Sequence, residues 1–79
     1  MKVSAERVAA RWLANRPAAL TDREERDLGK ANVWVMDWEM DGGTLPPEIQ
    51  RISGLRRPPT DREKRILLKW FYETAPGNY

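Results

Sequence analysis

Carboxylates, lysines and arginines are the side chains through which this 79-residue chain could do chemistry. His and Cys are absent. That removes the commonest general base near neutral pH, the thiol nucleophile, a disulfide framework and the usual zinc ligands. Serine and cysteine triads of the ordinary kind are excluded with them. Lys30, Lys64 or Lys69 could be paired with a carboxylate for acid–base work, but no glycine-rich phosphate loop or spaced acid pair aims them at a substrate. No enzyme and no cofactor is expected. Asp37, Glu39, Asp41 and Glu48 do form an acidic stretch with no base among them, and their oxygens are of the type that binds a hard cation.

Asp37-Trp38-Glu39-Met40-Asp41-Gly42-Gly43-Thr44-Leu45-Pro46-Pro47-Glu48 resembles the calcium loop of an EF-hand. The resemblance implies ligands from Asp37, Glu39 and Asp41, a sharp turn at Gly42 and a bidentate Glu48. Glu39 is longer than the Asp or Asn usual at its position, and Thr44 stands where an aliphatic residue joins a paired loop. The plainer reading is a solvated acidic helix end. Metal binding is therefore the weaker alternative.

Residues 1–43 hold 7 bases and 8 acids, net −1, whereas residues 44–79 hold 7 bases and 4 acids, net +3. Arg51, Arg56, Arg57, Arg62, Lys64, Arg65 and Lys69 outnumber Asp61 and Glu63. Fields of opposite sign favour oriented docking on a charged partner or on a second copy of the chain, so a homodimer is one expected form. Within the basic half, Glu48-Ile49-Gln50-Arg51-Ile52-Ser53-Gly54-Leu55-Arg56-Arg57-Pro58-Pro59-Thr60 resembles the helix, glycine turn and second-helix start of bacterial helix-turn-helix regulators. That resemblance implies nucleic-acid binding through Arg51, Arg56, Arg57, Arg62, Lys64 and Arg65, with the last helix in the major groove. Gln50 replaces the usual small residue, Thr60 or Asp61 the usual apolar one, and acids at the start of the second helix repel phosphate.

Trp12, Trp34, Trp38 and Trp70 are many large rings for a core of this size. Each needs an apolar home and a partner for its indole N–H. Most are expected in the core. Trp34 or Trp38 is expected on an exposed hot spot with Met36 and Met40, beside a positive patch of Arg56, Arg57, Arg62 and Arg65.

The elements that must position these groups read as helices. Ser4 caps a helix to about Asn15, ended by Pro17. Thr21-Asp22-Arg23-Glu24 is a capping box that opens a second helix, expected over 21–41 and stopped by Gly42-Gly43. Residues 33–40 also alternate at strand spacing, but a lone strand has no partner elsewhere in the chain. A short third helix follows Pro46-Pro47, with Ile49 and Ile52 inward and Gly54 past its end. Thr60-Asp61-Arg62-Glu63 repeats the box and opens a last helix to about Thr74. The expected architecture is an all-α bundle of three longer helices and one short one. The repeated box leaves open whether two tandem helix-loop-helix units arose by duplication or two good helix starts coincide. Residues 1–74 form one helical domain in this reading, and 75–79 a tail.

No stretch approaches a membrane span and the opening residues do not read as a signal peptide, so a cytoplasmic protein without membrane contact is expected. Small Cys-free proteins of this kind recur among bacterial and phage regulators. The expected function is a non-enzymatic module, a regulator or inhibitor, that docks on and blocks a larger protein partner.

Overall fold

The computed structural model of the chain describes Ala14, residues 19–77 and Tyr79. The helix expected over 4–15, with Trp12, lies outside the described residues. With it goes the first helix of the first proposed helix-loop-helix unit, whose second helix, opened by the Thr21 box, is described.

The described chain is all-α: α1 (Asp22–Met40), α2 (Pro47–Ser53) and α3 (Asp61–Thr74). Both capping boxes are formed. The Thr21 hydroxyl accepts from the Glu24 amide at 3.1 Å while the Glu24 carboxylate accepts from the Thr21 amide at 3.0 Å. Thr60 and Glu63 repeat the exchange at 3.2 and 2.9 Å. Each box satisfies two donors that a helix start otherwise leaves unpaired.

Residues 33–40 belong to α1, and the strand alternative is set aside. The Gly42-Gly43 stop has a specific geometry. Gly42 takes φ +80, its amide donates to Glu39 O, and the Gly43 amide donates to Trp38 O, both at 3.0 Å. This is a Schellman motif, which requires the left-handed conformation that glycine adopts without steric penalty. Gly43 has a second role. A Cβ there would collide with the Trp38 indole, so a bare backbone lets the turn fold over that ring.

Pro46 and Pro47 start α2, where the missing amide hydrogen is harmless. Its two inward residues, Ile49 and Ile52, are buried. The central element is α3, which packs against both other helices and buries Ile66, Leu67, Leu68, Trp70 and Phe71. Together with Ala31, Val35 and Leu45 these side chains make up the described core. Each fully buried Ile or Leu contributes about 1.5–3 kcal/mol relative to an exposed one.

The rings share space by meeting edge to face, with centroid distances of 5.4 Å for Trp38–Trp70, 5.7 Å for Trp34–Trp38 and 5.0 Å for Trp34–Tyr79. Tyr79 also meets Phe71 at 5.8 Å. Such contacts place a ring's positive edge on its neighbour's negative face. The tail therefore returns to the core at Tyr79, and the Tyr79 hydroxyl donates to Asp37 Oδ2.

Candidate functional site

Helical geometry divides the four apolar anchors expected on α1. Trp34 and Trp38 lie on the flank of the buried stripe that carries Ala31 and Val35, half-buried and packed against the core. The Trp34 indole donates to Thr74 Oγ1 at 2.9 Å, and that hydroxyl in turn donates to Trp70 O at 2.8 Å. The rings expected on an exposed hot spot are half-buried, with α3 and the returning Tyr79 packed against them.

The residues left outside are the methionines. Met40 is 82% exposed, Met36 62% and Val33 51%. At 3.6 residues per turn, Gly29, Val33, Met36 and Met40 line one stripe on the side of α1 opposite Ala31 and Val35. Gly29 is exposed as well, with open space where its side chain would be. The stripe continues toward the helix start as exposed Arg26, with Lys30 beside it. Toward the helix end it is flanked by Asp37, Glu39 and Asp41, and the last turn carries no base. Acids at a helix C-terminus face the negative end of the peptide dipoles, which disfavours them.

The basic residues are also divided. Glu63 gathers two of them: Arg57 grips its carboxylate with two bonds of 2.8 and 3.0 Å, and Arg51 adds a third at 3.0 Å. The Arg57 bonds, helped by the Thr60 amide, hold the Glu63 carboxyl well below the usual carboxylate range. This cluster fastens α2 and the loop after it to the start of α3. Arg65, placed by sequence on the docking patch or the DNA-facing surface, is only 4% exposed. Its guanidinium donates to Ala19 O at 2.7 Å and lies 3.8 Å from the Glu24 carboxylate. Burying the pair together keeps two charges from being stranded in the interior. Lys64 sits between Glu25 at 3.7 Å and Asp61 at 4.0 Å. Arg56 and Arg62 are exposed. The four-arginine patch is thus not one surface, and the helix expected to enter a DNA groove is the central core helix.

The acids of the calcium-loop resemblance do not converge. Among the described residues no three carboxylates are placed to hold a metal ion. Asp37 accepts from Tyr79, and Asp41 caps α1 with its side chain exposed. The loop pattern is explained by a helix end followed by a Schellman turn.

What the fold and these surfaces define is a small all-α protein with a core built on one central helix and an apolar, charge-flanked stripe facing out. Against family models, curated proteins and solved structures, the chain matches none.

Proposed function

We propose that this protein is a non-enzymatic interaction module, a regulator or inhibitor that docks on and blocks a larger protein through the outward face of α1. The observation that carries the reading is the exposure of Val33, Met36 and Met40 in one row while the neighbouring tryptophans are tucked inward. Methionine is flexible and polarisable, and a row of it on a rigid helix fits grooves of varied shape. Absent His and Cys favour binding over catalysis, because the commonest general base near neutral pH and the thiol nucleophile are both missing. No helix of the described residues is long and apolar enough to cross a membrane.

Nucleic-acid binding is the second reading, resting on exposed Arg56 and Arg62. Capture of partners by the tagged chain from its native lysate separates the two. The docking reading expects a protein retained after nuclease and chelator treatment, and lost when Met36 and Met40 are both changed to Gln. A captured species released by nuclease, with the double variant binding as well as the native chain, would falsify the docking reading.

A further inference from the structure

We infer that the outward face of α1 pairs antiparallel with the same face of a second copy, so that self-pairing competes with the partner for one surface. The inference rests on the docking reading of that face and names what covers it when no partner is present.

Charge is distributed unevenly along α1. Its exposed bases, Arg23, Arg26 and Lys30, all stand in the first half, and its C-terminal end has Asp37, Glu39 and Asp41 with no base in the last turn. A parallel pair would set the acidic ends side by side and Arg26 against its own copy. The first half also carries Asp22, Glu24, Glu25 and Asp27, so the complementarity lies along one edge of the stripe, where an antiparallel pair sets Asp37 and Asp41 near Arg26 and Lys30 of the other helix and offsets the unfavourable dipole contact at each C-terminus.

Shape selects the register. Arg26, Gly29, Val33, Met36 and Met40 recur at the alternating three- and four-residue spacing of a coiled-coil seam. Placing Val33 against Met36 of the copy brings Met40, the most exposed large apolar side chain described, over Gly29, where nothing fills the space of a side chain. Each methionine then enters the other helix's hollow, and the two-fold axis repeats the contact. The same register brings Arg26 diagonally near Asp41 and Lys30 diagonally near Asp37 along one edge. Glu39 faces the neutral Asn32, so no like charges meet along that edge. Asp37 already accepts from Tyr79, which leaves Arg26–Asp41 as the cleaner pair to manipulate.

The seam from Arg26 to Met40 covers about 21 Å of helix axis. One helix face of that length buries well under the ~800 Å² per partner of a stable interface. The pair is therefore weak and concentration-dependent, as competition with another partner requires.

Sedimentation equilibrium of the full chain, from micromolar to millimolar concentration, tests this. The native chain should pass from monomer toward dimer. Arg26→Glu or Asp41→Arg alone should weaken association about tenfold, because each sets like charges opposite one another. The double variant, with the charges exchanged, should recover it. Circular dichroism keeps loss of fold apart from loss of pairing. A native chain that stays monomeric throughout overturns self-pairing and leaves the docking reading to its own capture test. A dimer that the double variant does not restore overturns the antiparallel register. Failure of the Met36/Met40 capture test beside an intact dimer removes the docking reading and leaves the pairing.

Discussion

At the scale of single residues, the proposed docking turns on side chains whose facing the sequence pattern alone leaves open. Between Val33 and Met40 nearly every second residue is a ring or a methionine, so periodicity could not say which of them face out. The answer lies in distant partners: Thr74 for the Trp34 indole, Trp70 for Trp38, and Tyr79 for Trp34. Arg65 was equally illegible, because its partners Glu24 and Ala19 are far along the chain. Gly43 gives a direct test. Gly43→Ala should destabilise the fold by driving a methyl group into the Trp38 indole, whereas Gly29→Ala, with open space at that position, should raise the melting temperature by replacing a mid-helix glycine, worth about 1 kcal/mol. Thermal melts in which the two substitutions behave alike would contradict the turn described here.

Tyr79 carries a pH prediction at the same scale. Burial, aided by its bond to the Asp37 carboxylate, pushes the phenol up to about 12 from an ordinary value of 10.0. Because the folded state holds this proton more tightly, the contribution is full below pH 10 and is lost as pH rises toward 12. Tyr72, partly desolvated and with its hydroxyl donating to Asp27, shifts in the same direction. The native melting temperature should fall over that window, and less steeply in Tyr79→Phe. Identical alkaline profiles for the two proteins would show that the tail is not held by this hydroxyl.

At the scale of elements, the helix boundaries were legible because their signals are local. Each Thr-Asp-Arg-Glu box needs only four consecutive residues to close, and Gly42-Gly43 permits a backbone few other residues adopt. The helices expected over 21–41 and up to about Thr74 are observed as Asp22–Met40 and Asp61–Thr74. Thr21→Ala and Thr60→Ala should each lower stability by about 1 kcal/mol, and the two should add in denaturant melts because the caps share no partner. Glu63 ties the second cap to the arginines, and its carboxyl titrates well below the ordinary 4.5. Its contribution is present above that pH and lost as pH falls further, so Glu63→Gln should flatten the acid limb of the stability profile. An unchanged acid limb would mean that Arg51 and Arg57 do little to hold α2 to α3.

For the whole molecule, the lopsided charge legible in the sequence is partly consumed inside it, with Arg51 and Arg57 on Glu63 and Arg65 on Glu24. The proposed docking uses the outer face of α1, apolar in the middle and charged at both ends. Surface side chains of this kind contribute little to folding, so Met36→Gln and Met40→Gln should each shift stability by no more than about 0.5 kcal/mol. Binding and folding can therefore be separated by experiment. Oxidative footprinting of the two methionines in the captured complex is the most direct measurement. Docking through α1 predicts that Met36 and Met40 oxidise readily in the dilute free protein and are protected when the partner is bound. Oxidation at the same rate in both states would contradict it.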